Sequence, residues 1–119
     1  MKTNELMIGD WVNVSKLNKP IRVGAVYHTM IIPNSDDDDV HASIGDEYLE
    51  PIPLTPEILE KNLATEHHIS WCIGWDRKDD IHVEIKCEDL HAAFYGVIDF
   101  VHELQHALRL CEIEKEIEL

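Results

Sequence analysis

Short alternating runs of apolar and polar residues occupy the N-terminal part of the chain, residues 1–50. The segment 5–14 is rich in β-forming residues around a Gly-Asp turn. The segment 20–32 places apolar residues at every second position after the turn-forming sequence KLNK, and the segment 40–52 predicts a further strand or hairpin. Several short strands this close together predict a small all-β lobe, either a curled sheet or an SH3-like barrel.

A proline-rich connector follows this lobe, in the sequence EPIPLTPEILEKN. Pro51 and Pro53 favour extended backbone, because proline restricts its own φ and the conformation of the residue before it. Thr55 is then suited to cap the N-terminus of a helix that has Pro56 in its first position. The apolar pattern predicts that this short helix ends near Asn62.

A second group of strands is predicted after the connector. Apolar residues take every second position in two consecutive segments, which predicts an antiparallel hairpin with one buried and one solvated face. The segment 90–96 predicts a third strand. The positions predicted to face the core of this sheet are Ile69, Trp71, Ile73, Trp75, Ile81, Val83, Ile85 and Cys87.

The C-terminal part of the chain predicts one long helix, from Val97 to Cys111. On a helical wheel its apolar residues form one stripe about 80° wide, which is expected to pack on the sheet. The tail IEKEIEL alternates again and predicts a short edge strand whose glutamates discourage further pairing, with a continuation of the helix as the alternative. The residues of the stripe are Val97, Val101, Leu104, Leu108 and Cys111.

Together these elements predict an α+β protein, in which a small N-terminal all-β lobe precedes an antiparallel β-sheet that carries one long C-terminal helix. The predicted boundaries are 1–50 for the β lobe, 51–65 for the connector with its short helix, and 66–119 for the sheet and the long helix. The alternative is one compact domain, since 119 residues is an ordinary length for a single domain.

The charge of the chain is strongly negative, with 24 acidic against 10 basic side chains and a formal net charge of −14. Such a field repels the phosphates of nucleic acids and anionic membrane surfaces, so neither is predicted as a partner. The N-terminal sequence has no apolar block typical of a signal peptide, and no segment reaches the roughly 18 apolar residues of a membrane span. A cytoplasmic location is therefore expected.

One motif in the chain indicates a specific chemistry, the H-E-x-x-H of zinc peptidases formed by His102, Glu103 and His106. In such enzymes the two histidines lie on one helix face and bind Zn²⁺, and the glutamate is the general base for metal-bound water. Glu112 stands where a longer form of the motif has its third ligand, but Arg109 replaces the glycine that would turn the helix. The alternative function is thus a minimal zinc metallopeptidase, with Glu103 as the base and His102, His106 and Glu112 as ligands.

The helical wheel favours another interpretation of this motif. His102 and His106 fall almost opposite the apolar stripe, beside Asp99, Gln105 and Arg109, so both imidazoles are expected to face water. Eight histidines and many glutamates also make a chance occurrence of the motif more frequent. We therefore predict no catalytic, cofactor-binding or metal-binding residue and no cofactor, with zinc as the alternative.

Three segments, ELMIGDWV, EPIPLTPEILEKN and VHELQHALRL, resemble a family of short uncharacterised proteins that is frequent in gut-bacterial and phage genomes. The resemblance extends from Glu5 to Glu118, apart from the acidic loop PNSDDDD at residues 33–39, and the middle motif is the most specific part of it. It implies that Glu103 and His106 vary between members, so that the zinc motif is an accident of this chain. It also implies an accessory or mobile-element role, with no known activity, cofactor or partner. The positions that it marks as recurrent in the helix are Val101, His102, Leu104 and Gln105.

His102 and Gln105 are therefore a candidate interaction surface. The structural interpretation, in which His102 bonds a nearby backbone, is favoured over it because side-chain hydrogen bonds go mostly to backbone or water.

The leading functional hypothesis is a non-enzymatic accessory or interaction protein with an unknown protein partner. The two alternative hypotheses are the zinc metallopeptidase and an acidic mimic of nucleic acid that binds a nucleic-acid-binding protein.

Overall fold

The computed structural model describes residues 1–34, 43–66, 68–74, 78–86 and 93–119. It has two antiparallel sheets, one of five strands and one of three, and a C-terminal helix, which confirms the predicted α+β class. Trp75 and Cys87, both predicted to face the core, lie outside the described residues.

The chain divides into two compact units, Met1–Ile52 and Pro53–Leu119. The first unit contains the five-stranded sheet, with strand order β4-β3-β2-β1-β5 and every pair antiparallel. Short 3₁₀ helices at Thr3–Glu5 and Asp46–Tyr48 complete this unit among its described residues. The strands are β1 (Trp11–Val14), β2 (Lys19–Val26), β3 (Met30–Pro33), β4 (Ile44–Gly45) and β5 (Leu49–Glu50).

The strand β2 bends the sheet, because it pairs with β1 through its first half and with β3 through its second. Its register shifts between Val23 and Ala25, and a Cβ atom added to Gly24 between them would lie 2.8 Å from the carbonyl oxygen of Pro33. Only glycine permits this approach, and the bulge increases the local twist. A small curled sheet, as the sequence predicts, is the result.

The alternating segment 20–32 contributes to two strands, β2 and β3. The chain turns between β2 and β3, where the backbone N–H of Tyr27 donates to the carbonyl of Met30 at 2.9 Å. Tyr27 continues the alternation of the strand but is exposed, because the strand has already ended at Val26. Alternation alone therefore did not reveal the turn.

The connector forms the predicted helix, α1 (Pro56–Leu63). The hydroxyl of Thr55 accepts a hydrogen bond from the backbone N–H of Ile58 at 3.3 Å, and Pro56 occupies the first turn. Both features confirm the sequence analysis, since a threonine cap and a proline that needs no intrahelical donor suit a helix start.

The second unit contains the sheet β6 (Ile69–Ile73), β7 (Ile81–Lys86) and β8 (Ala93–Val97), in that order. Ile69 pairs with Ile85, and Ile85 with Phe94, so these side chains share one face. Ile69, Ile81, Val83 and Ile85 are buried on that face, as the alternation predicts. The prediction is wrong for Ile73, which is 45% exposed, and Trp71 is only half-buried.

The helix α2 runs from Val101 to Leu110, shorter than the predicted 97–111. Val97 ends β8, and the N–H of Ile98 still donates to the carbonyl of Ile81. The chain therefore leaves the sheet only after Ile98, because strand pairing there satisfies the same backbone groups that a helix would use.

The C-terminal tail is neither strand nor helix, so both predictions for it are wrong. The Asn62 side chain, 4% exposed, holds it instead: its oxygen accepts from the N–H of Glu118, and its nitrogen donates to the carbonyl of the same residue, both at 2.7 Å. Asn62 also donates to the carbonyl of Ile58 at 2.8 Å. The Asn62 amide thus exchanges two hydrogen bonds with the backbone of the tail, as a neighbouring strand would. In the tail held this way, Ile117 is buried.

Within the described residues, no helix is long and apolar enough to cross a membrane.

Replacing Asn62 with alanine should lower the free energy of unfolding by about 2 kcal/mol, because two partly buried backbone groups of Glu118 lose their partners. Asn62→Asp should also destabilise, since a carboxylate accepts but does not donate. Urea unfolding measures both effects. The matched control is Glu60→Ala, an exposed position on the same helix, which should change stability by less than about 0.5 kcal/mol. An Asn62→Ala change no larger than the control would contradict the account.

Candidate functional site

The H-E-x-x-H motif lies in the first two turns of α2, and its glutamate stabilises the start of that helix. Phe100, at the N-cap, has no polar side chain to accept from the helix N-terminus. The Oε1 atom of Glu103 accepts from the backbone N–H of Phe100 at 3.0 Å and from that of Asp99 at 3.1 Å. The same carboxylate also lies in the first turn, where the helix dipole favours negative charge. Glu103 is therefore a capping residue in this structure.

His102 does not face water, so the prediction of two outward-facing imidazoles is wrong for this residue. It is 7% exposed, and its Nδ1 atom is enclosed. Its ring stacks on that of Phe100, with centroids 5.9 Å apart and planes 10° from parallel. The His106 ring, half-buried, meets the His102 ring edge-on at 5.6 Å. Phe100, the extended residue before the helix, covers His102. A helical wheel that begins at Val97 treats Phe100 as helical, so it does not show this contact.

Gln105 is also buried, at 7% exposure, although the sequence analysis placed it on the polar side. It follows Val101 by one helical turn, which leaves it only about 40° from Val101 around the axis. It therefore belongs to the buried face. Both members of the candidate interaction surface, His102 and Gln105, leave little area for a partner, and that surface stays a prediction.

Glu112 lies at the opposite end of α2, where it ends the helix. Its φ is 58°, in the left-handed region. Its N–H donates to the carbonyl of Arg109 at 3.0 Å, and the N–H of Ile113 donates to that of Leu108 at 2.9 Å, which is the Schellman pattern. The helix does not turn at Arg109, where the longer motif has its glycine, but continues to Leu110, and Glu112 adopts the left-handed conformation after its end. Six residues separate it from His106, which places it about 9 Å further along the helix axis.

Within the described part of the chain, no group of three or more His, Cys, Asp or Glu side chains converges as metal ligands would. The zinc alternative therefore needs Glu103 to leave the helix N-terminus and the buried His102 to become accessible. It stays a prediction, as does the absence of a cofactor.

A second candidate site, which the sequence analysis did not identify, is the outer edge of β6. The carbonyl of His68 accepts from the backbone N–H of Lys86, and the N–H of Gly74 donates to the carbonyl of Asp80. The backbone N–H and C=O groups of the even-numbered residues of this strand therefore point toward β7. Because these pairs alternate in an antiparallel ladder, the backbone groups of Ile69, Trp71 and Ile73 point away from the sheet. No described residue bonds to these outward groups.

An open groove of about 560 Å³ is lined by Trp71 of β6 and by residues of α1. Trp71, half-buried, forms one wall, and the first two turns of α1 form the other. We call this surface the β6 groove. Its lining residues are Pro56, Glu57, Glu60, Lys61 and Trp71.

The other outer strand, β8, is covered at one end. The N–H of Leu54 donates to the carbonyl of Asp99 at 2.9 Å, and Pro53 forms a β-bridge with Phe100. The connector thus continues the pairing beyond β8, with a proline that discourages further addition. The edge of β6 has no such cover among the described residues.

No family model, curated protein or solved structure matches the chain. The resemblance to the phage and gut-bacterial family stays a prediction.

Replacing Glu103 with alanine should lower the free energy of unfolding by about 1 kcal/mol, because two N–H groups at the start of α2 lose their acceptor. Glu103→Gln is the matched control: its amide oxygen accepts the same bonds, so the loss should stay below about 0.5 kcal/mol. Thermal or denaturant unfolding distinguishes them. Equal stability of the alanine variant and the native chain would show that this carboxylate does not cap the helix.

Proposed function

We propose that the protein is a non-enzymatic interaction protein, and that it binds an extended segment of a partner protein along the outer edge of β6. Strand addition at a sheet edge is a general mode of peptide recognition, in which main-chain hydrogen bonds provide affinity and adjacent pockets provide specificity. The observation that carries the proposal is the combination of outward backbone groups at Ile69, Trp71 and Ile73 with a groove on the Trp71 side of the strand.

The sequence of β6, ISWCI, is unusual for an exposed edge. Natural sheets protect their edges with charged residues, prolines or bulges, and β6 has none of them in its five residues. Ile73 and Cys72 are exposed on it. An apolar edge without such protection is favourable for binding and unfavourable for solubility, which supports a binding role.

The residues of the zinc motif support a non-enzymatic protein, because they already make structural contacts. Glu103 caps α2, and His102 is stacked beneath Phe100. The Oε1 atom of Glu103 is already bonded to two backbone N–H groups. The acidic-mimic hypothesis stays a prediction that no single contact favours.

Ile73→Pro should abolish partner binding while leaving the sheet intact. Proline removes an N–H that points outward, so no bond to β7 is lost, and its ring blocks the approach of a partner strand. Ile73→Val keeps the donor and is the matched control. Ile73→Lys, at a position that is 45% exposed, is a second test that adds the charge used by natural edges.

The measurement is affinity purification from cells that encode the protein, with all four baits at equal loading and their folding verified by circular dichroism. Proteins recovered with the native and Ile73→Val baits should be missing with Ile73→Pro and depleted with Ile73→Lys. The proposal is overturned if no protein is enriched, or if the enriched set is unchanged by Ile73→Pro.

A further inference from the structure

We infer that the segment bound at β6 carries a basic residue, arginine or lysine, directly opposite Trp71. This inference rests on the proposed function, and adds the chemistry of the partner to it.

The geometry of strand pairing fixes where that residue lies. A strand added to β6 lies about 4.8 Å away, and directly opposite residues place their side chains on the same face of the sheet. Trp71 faces the β6 groove. The side chain opposite Trp71 therefore projects from the same face of the sheet as Trp71, next to the groove that Trp71 lines.

The charges of the groove favour a cation at that position. Glu57 and Glu60, both exposed, line it, and neither makes an ion pair with another described residue. Among the described residues that line the groove, the one basic group is that of Lys61, which donates through Nζ to the main-chain oxygen of Leu119 at 2.8 Å. The described lining residues therefore carry two carboxylates and one ammonium group, and that ammonium group already has a hydrogen-bond partner.

The apolar walls of the groove suit the rest of a basic side chain. The faces of Trp71 and Pro56 offer contact to the methylene groups of lysine or arginine. A guanidinium over an indole ring adds a cation–π interaction, for which tryptophan is the best aromatic partner and arginine the more frequent cation. The same walls without the glutamates would favour an apolar residue.

A second copy of the chain fits this site less well. The β6 sequence ISWCI offers no basic residue to Glu57 and Glu60. With a net charge of −14 on each copy, pairing of two copies also costs electrostatic energy. Charge complementarity therefore selects a basic segment of a different protein.

The experiment uses amide chemical shifts of the full chain, titrated with three synthetic peptides, acetyl-Thr-Val-Thr-X-Thr-Val-Thr-amide, in which X is arginine, glutamine or glutamate. The arginine peptide should shift the amides of Ile69, Trp71 and Ile73 and bind about fivefold more tightly than the glutamine peptide, with the glutamate peptide weaker still. The double variant Glu57→Gln/Glu60→Gln should remove the preference for arginine.

The matched control is Glu112→Gln/Glu114→Gln, which removes two exposed charges that do not line the groove. It should keep the preference. An equal loss in this control would show only long-range attraction and would overturn the inference.

The remaining outcomes separate the two proposals. Equal binding of all three peptides at β6 overturns the inference that the partner carries a basic residue. It leaves the proposal of strand addition intact. No shift at the three amides with any peptide overturns both. Shifts at these amides that grow with protein concentration alone identify a second copy as the occupant, and overturn the inference of a basic partner.

Discussion

The backbone of a β-strand has hydrogen-bonding groups along two edges, and in a three-stranded sheet only the central strand can satisfy both within the sheet. In the second unit that strand is β7, and its neighbours each leave one edge outward. The connector completes the pairing past β8, through Leu54 and Asp99. The edge of β6 stays open among the described residues, and the functional account depends on this asymmetry.

The zinc motif illustrates how chemistry and helix termini use the same residue types. A glutamate in the first turn is common because it accepts from free N–H groups there, and Glu103 does so for Asp99 and Phe100. At the C-terminus of the same helix, Glu112 adopts the left-handed conformation and its N–H donates to the carbonyl of Arg109. In this protein the glutamate of the motif therefore marks the start of a helix, and the spacing of the motif alone does not distinguish a cap from a general base.

The sequence predicted those elements whose cause is local. Alternation identified the buried face of the hairpin, because the period of a strand is set by its own backbone. Thr55 and Pro56 marked the start of α1 for the same reason. The start of α2 was misplaced because Val97 and Val101 are four residues apart, a spacing that suits a helix although Val97 ends a strand.

Features that depend on distant segments could not be predicted. Asn62 and Glu118 are 56 residues apart, so nothing near either one signals the clamp between them. The β6 groove likewise combines α1 with Trp71, from separate parts of the chain. His102 was expected in water because the wheel treated its cover, Phe100, as part of the helix, whereas Phe100 has extended backbone before the start of α2. Burial is a property of the assembled unit, and periodicity gives only the orientation of a residue within its own element.

The most direct test of the open edge is amide hydrogen exchange along β6 in the isolated protein. The account predicts an alternation: slow exchange at Ser70 and Cys72, whose N–H groups face β7, and fast exchange at Trp71 and Ile73, whose N–H groups point outward. Equal, strong protection at all four amides would show that the edge is already paired within the chain, and would contradict the account.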